Sequence, residues 1–178
     1  MKKILLFAAA ALLLLGGCQT QKIPVPTDAQ LEYAYEKAAE AYSWFDMKTM
    51  DSDFQDQQVF EGNVYERVRN TEITSLDQLK EYLHDIFSDD IIDSLIARNI
   101  YRDFDGKLYT LNSARGADIT KGEESLEIIR ENDERIIFRI EVEILSPETG
   151  EVMSEEIYDF EYAYAGGKWL FTHFFLIR

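Results

Sequence analysis

Between Arg135 and Leu145 the residues alternate without a break: Ile136, Phe138, Ile140, Val142 and Ile144 fall on one side, and Arg139, Glu141 and Glu143 on the other. Only an extended strand, whose side chains repeat every two residues, gathers that apolar set onto one face. The segment therefore belongs in a sheet with one covered face and one wetted face, the habit of antiparallel sheets. Its neighbours supply the partners. Glu124 to Glu131 reads as a strand turning at Asn132-Asp133. After the turn Ser146 to Gly150, a further strand sets Tyr158, Phe160, Tyr162 and Tyr164 against Asp159 and Glu161. Gly166-Gly167 turns the chain again. Lys168 to Ile177 is expected to be a central strand, because Trp169, Phe171 and Phe175 alternate with Leu170, Phe174 and Leu176 and leave both faces apolar.

The first half of the chain has the other period. Thr27 and Gln30 form a capping box, and Leu31, Tyr35, Ala38, Tyr42 and Phe45 follow as a helical stripe. Asp46 to Gln58 loses periodicity and is expected to be loop. Val59 to Val68 reads as one strand with a bulge at Gly62. Ser75 and Gln78 start a second helix carrying Leu76, Leu79, Leu83 and Ile86, and Ser88 with Asp89 and Asp90 caps a third through Arg98. Asp105-Gly106 marks a tight hairpin between Tyr101 to Phe104 and Lys107 to Leu111, and Ser113 to Gly122 is a loop. Helices first and long strands after them predict an α+β domain, with the N-terminal helices packed on a curved antiparallel sheet in a cone-like arrangement.

The N-terminus is a separate matter. Met1-Lys2-Lys3 precedes an apolar run of twelve residues, Ile4 to Leu15, which is shorter than the ~20 residues needed to span a bilayer. It ends in Leu15-Gly16-Gly17-Cys18, which resembles the lipobox of bacterial lipoproteins. In that family the matching cysteine, here Cys18, receives a diacylglyceryl group and becomes the first residue after cleavage. Two acyl chains suffice for stable anchoring where one does not. The resemblance implies residues 1–17 as signal peptide, residues 18–26 as lipidated cysteine and tether, and residues 27–178 as one α+β domain on the extracytoplasmic face of the membrane. The tether, Gln19 to Pro26, is expected to be extended and to reach at most about 27 Å. Cys18 is the sole cysteine, so disulfide, thiolate and zinc-thiolate chemistry is excluded from the rest of the chain.

The chain from Cys18 onward has 16 basic and 34 acidic residues, a formal charge of −18. Such a field opposes nucleic acid, whose binding depends on Lys and Arg neutralising phosphates. With 46% hydrophobic and 13% aromatic residues, the chain has the composition of a packed domain rather than of an acidic disordered one.

The order of elements, closing in Gly166-Gly167-Lys168-Trp169, resembles the cone of nuclear transport factor 2-like and cystatin-like domains. A narrower resemblance is to the IseA-type inhibitors of DL-endopeptidases, the enzymes that cut peptidoglycan stem peptides. It is carried by Tyr42-Ser43-Trp44-Phe45, by Leu76 to Tyr82 with Ile86-Phe87, and by Asp105-Gly106-Lys107-Leu108-Tyr109 followed by Gly116. That likeness implies a non-enzymatic protein that inhibits a cell-wall endopeptidase; joined to the lipobox resemblance, it gives the expectation of a lipid-anchored protein whose partner is such an endopeptidase or another envelope protein. The lipidated Cys18 departs from a freely secreted inhibitor. Candidate contacts are Asp103, Tyr109, Arg115 and Gly116, on a hairpin and its following loop, where exposed residues on a rigid base are expected.

Catalytic patterns are sought alongside. His84 and His173 are the only histidines; His173 with Tyr158, Tyr162 and Trp169 defines an alternative, a ligand-binding or enzymatic pocket. Glu141, Glu143, Asp159 and Glu161 are a candidate carboxylate cluster, against which Arg130, Arg135 and Arg139 stand as cross-strand partners. Asp103 and Asp105 lack the ligand series of a calcium loop, and Ser113-Ala114-Arg115-Gly116 matches neither a phosphate loop nor a nucleophile elbow. No cofactor and no metal are expected.

Overall fold

The first helix starts as its sequence predicts. Thr27 Oγ1 accepts from the Gln30 N–H, and Gln30 Oε1 accepts in return from the Thr27 N–H at 2.9 Å, satisfying amides that a helix start leaves free. A computed structural model describes residues 23–112, 116 and 118–177 of the chain. Its order is α1 (Asp28–Asp46), β1 (Ser52–Phe60), β2 (Asn63–Val68), α2 (Leu76–His84), α3 (Asp89–Ile96), β3 (Tyr101–Phe104), β4 (Lys107–Thr110), β5 (Lys121–Asn132), β6 (Arg135–Leu145), β7 (Val152–Ala165) and β8 (Lys168–Phe171).

The architecture is α+β, with the strands divided between two antiparallel sheets, β1-β2-β4-β3 and β5-β6-β7-β8, instead of one curved sheet. The first sheet contains a strand that the sequence hides. Ser52–Phe60 is polar along most of its length, yet it pairs with β2 through a two-residue turn at Glu61 (φ 51°) and Gly62 (φ 80°). Two successive positive φ values are what a tight hairpin needs, so Gly62 ends a hairpin and does not bulge a single strand. The irregularity lies instead between Asp53 and Gln57, where the register shifts.

The long strands of the second sheet bury one face as expected: Ile136, Phe138, Ile140 and Val142 are at most 1% exposed. Tyr35 of α1 lies on this face, 6.0 Å from Phe138 and 6.3 Å from Phe160 between ring centres. Phe45, at the other end of α1, meets Tyr101 of β3 at 5.1 Å, and the Tyr101 hydroxyl accepts from the Met50 N–H and donates to Trp44 O. One helix thus touches both sheets. Burial pushes the Tyr101 phenol up to about 12.

Lys168 to Ile177 is not a central strand. Only Lys168–Phe171 is extended, it pairs with β7 alone, and it forms the sheet's edge. Its open side is met by the α2–α3 connection: the Phe171 N–H donates to Ile86 O and Phe171 O accepts from the Ser88 N–H, both at 2.9 Å. The chain then leaves the sheet and folds Phe174 back into the core, 4.7 Å from Phe160, 5.0 Å from Phe171 and 5.7 Å from both Phe87 and Tyr42. Two apolar faces arise here from a strand followed by a tuck.

The segment before α1 also departs from expectation. Trp169 Nε1 donates to Pro24 O at 2.8 Å, and Val25 lies beside Trp169 and Ile136, so the stretch from Pro24 to Pro26, expected to be extended tether, is held against the domain. Among the described residues no helix is long and apolar enough to cross a membrane.

Candidate functional site

The β3–β4 hairpin forms at Asp105 (φ 53°) and Gly106 (φ 74°), and Asp103 Oδ1 accepts the Gly106 N–H at 2.7 Å. Asp103 is exposed and shapes the turn it sits beside. Tyr109 is different. It is 3% exposed, its hydroxyl donates to Asp56 Oδ1 at 2.8 Å, and its ring stands edge-on to Phe104 at 5.3 Å. The expectation of an exposed contact at Tyr109 is corrected: the β1 strand, absent from the sequence reading, supplies the carboxylate that holds the phenol inside. Gly116 is exposed and has open space where a Cβ would lie. Arg115 and Cys18 lie outside the described residues.

His173 does not share a pocket with the three aromatics. Tyr162 stacks on Trp169 at 5.5 Å and contacts Phe138 and Phe171, filling the interior, while the Tyr158 hydroxyl bonds Glu156 and Lys121. His173 is exposed, with Nδ1 3.1 Å from Asp159 O, on an open groove of about 460 Å³ across the opposite face of the sheet. The reason is the tuck at Phe174, which rotates His173 outward.

Charges along that groove are paired. Arg139 grips Asp159 through two hydrogen bonds of 2.8 Å, and Arg135 reaches Glu161 at 2.6 Å and Glu131 at 3.0 Å. The Arg139 guanidinium holds the Asp159 carboxyl below its ordinary range. The register explains this: Arg139 lies opposite Asp159, and Ile137 opposite Glu161.

The four carboxylates are accordingly split. Glu141 and Glu143 sit further along the sheet with Glu155, in a shallow groove of about 210 Å³. The neighbouring Glu141 carboxylate raises the Glu155 carboxyl above its usual range, since two like charges so placed resist ionising together. No group of three or more acidic, His or Cys side chains suited to a metal ion occurs among the described residues. A carboxyl raised in the folded state binds its proton more tightly there than in the unfolded chain, so its repulsion is present at neutral pH and relieved below the unfolded value near 4.5. Glu155→Gln should therefore raise the melting temperature at pH 7 and leave it unchanged below that value. Thermal melts at the two pH values check this, and a loss of stability at neutral pH would contradict the pairing.

A further groove, which the sequence reading did not find, opens where α1 ends. Its volume is about 380 Å³, and Trp44, Glu40, Lys48, Asp51, Arg69 and Asn70 border it. Tyr82 of α2 packs on the indole at 5.4 Å, and Lys37 lies 4.7 Å over the Tyr82 ring. Asn70 Oδ1 accepts from the Glu72 and Ile73 N–H groups, which fixes the amide and turns its NH2 away from that turn. The α1 end and the β1–β2 hairpin create this site together. The aromatic end of α1 at Trp44 was visible in the sequence, but its partners fall just before β1 and just past β2.

Neither a protein-family model nor a curated protein matches this chain.

Proposed function

We propose that the chain is a lipid-anchored protein of the extracytoplasmic face that acts by binding, without chemistry of its own, and that its partner is a peptidoglycan DL-endopeptidase whose substrate cleft it blocks. The observation that favours binding over the pocket alternative is the filled interior: Phe138, Phe160, Phe171 and Phe174 are at most 5% exposed and pack on one another where a cavity at His173 would have to open. The lipobox at Leu15 to Cys18 and the partial likeness to IseA-type inhibitors supply the anchor and the partner class.

Within this reading the contact surface is the hairpin sheet. Asp103, Gly116 and its sequence neighbour Arg115 remain candidates, and Tyr109 becomes a buried support of the sheet through Asp56 and Phe104. On that sheet Val59 and Val64 face each other across β1 and β2 at 71% and 44% exposure, and Phe54 is also exposed. Exposed apolar side chains on a rigid strand pair are what a protein partner covers. The formal charge of −18 from Cys18 onward would speed encounter with a cationic cleft more than it would tighten the complex.

Titrating the purified protein against envelope endopeptidases, with peptide release followed at two salt concentrations, tests the proposal. Inhibition is expected, with an association rate that falls as salt rises. Full activity in molar excess of folded protein, and no complex on a sizing column, would overturn it.

A further inference from the structure

We propose that the groove at the end of α1 is a binding site for a neutral carbohydrate, in which a sugar ring lies against Trp44 and its hydroxyls are held by Asn70, Lys48, Arg69, Glu40 and Asp51. The argument begins with what a sugar ring demands. A pyranose has an apolar C–H face and a rim of hydroxyls, each of which donates and accepts. A site for it needs an aromatic plate ringed by both kinds of hydrogen-bonding group.

The groove has this composition. Trp44 is half-buried and braced by Tyr82 at 5.4 Å, so the indole is held by the fold before any ligand arrives. Donors come from the Asn70 amide, whose Oδ1 is already occupied by two backbone N–H groups, from Lys48, and from the N–H groups of Arg69 that its 3.1 Å pair with Asp53 leaves over. Acceptors come from Glu40 and Asp51. About 380 Å³ lies within the ~300–1,000 Å³ of small-ligand sites.

Charge decides between ligand classes. Lys48 and Arg69 border the groove with Glu40 and Asp51, and Arg69 is also paired with Asp53 at 3.1 Å, so the groove offers no excess of positive charge in a chain of net charge −16. An anion would meet Glu40 and Asp51, and a cation would meet Lys48 and Arg69. Lys48 and Asp51 are 3.9 Å apart with both side chains about four-fifths exposed, which leaves each able to turn toward a hydroxyl. A neutral polyhydroxylated ring uses all four without repulsion.

This site is independent of the inhibitor proposal, since it lies at the end of α1 and not on the exposed face of Val59 and Val64. The test titrates the full chain, in a detergent without a sugar head group, with the tetramer of N-acetylglucosamine. The readouts are tryptophan fluorescence and saturation-transfer NMR. Trp44 and Trp169 are the only two tryptophans, so Trp169→Phe leaves Trp44 as sole reporter. A saturable shift is expected and should persist in that variant. Lys48→Gln combined with Asp51→Asn removes only exposed partners and should weaken binding roughly tenfold. Trp44→Phe keeps an aromatic ring against Tyr82 and should weaken it as well. No saturable binding by folded protein, or binding unchanged in these variants, would overturn the proposal. So would preference for an end-blocked neutral tetrapeptide over the sugar, which would make the groove a peptide site.

Discussion

Phe171→Ala should destabilise the domain by about 3–5 kcal/mol, a large part of the ~5–15 kcal/mol that holds a domain of this size together. Phe171 is fully buried, and its ring lies 4.7 Å from Tyr162, 5.0 Å from Phe174, 5.1 Å from Phe138 and 6.5 Å from Phe87. Removing it leaves a cavity bounded by four aromatic rings, which cannot close without moving the sheet, the C-terminal tuck and the α2–α3 connection together. The backbone bonds of Phe171 to Ile86 and Ser88 would remain, so the loss reports packing alone. Denaturant unfolding measures it. A drop below about 1 kcal/mol would mean that the tuck is not packed as described. Phe171→Leu, which keeps most of the volume, should cost much less.

Cys18→Ser should abolish lipid attachment altogether. The expected result is a precursor that retains residues 1–17, takes up no fatty-acid analogue and fails to fractionate as the wild-type protein does. On the lipobox reading the Cys18 thiol is the group that would accept the diacylglyceryl unit, and no second cysteine exists to replace it. Serine preserves the small size at the cleavage position while its hydroxyl replaces the thiol. Labelling and fractionation read the outcome in one experiment, and continued labelling would overturn the lipobox reading.

The parts of the fold that were legible in the sequence are those where burial is one-sided. β6 could be read because its buried and exposed residues alternate, and α1 because Thr27 and Gln30 cap it and its stripe points inward. β1 was not legible. It is an edge strand, mostly exposed on both faces and shifted in register between Asp53 and Gln57, so neither period survives in Ser52 to Gln58. Lys168 to Ile177 misled for the opposite reason: covered faces produce the same apolar pattern whether a strand continues or the chain leaves the sheet.

The candidate sites divided along the same line. Sequence placed Arg139, Asp159 and Glu161 on outward faces, but only the register decides that Arg139 meets Asp159 and that Glu143 meets Glu155. The Trp44 groove needed β1 and β2 in place before Asp51, Arg69 and Asn70 could converge on the indole. Tyr109 was misplaced because its Asp56 partner lies on the strand the periodicity does not reveal.

The bond from Trp169 to Pro24 sets the point at which the proposed leash would join the domain. With Cys18 seated in the bilayer, the span from Cys18 to Pro24 is at most about 22 Å. The segment at Pro24 and Val25 joins the domain beside the Asp133-Glu134 turn, next to Asn132 and Trp169, so under the proposed lipid anchor that end of the long sheet would lie nearer the lipid than the Ser146–Gly150 turn. An anchored domain of this kind would act as a post with a short radius, and under that proposal whatever it engages would have to pass within that radius of the membrane.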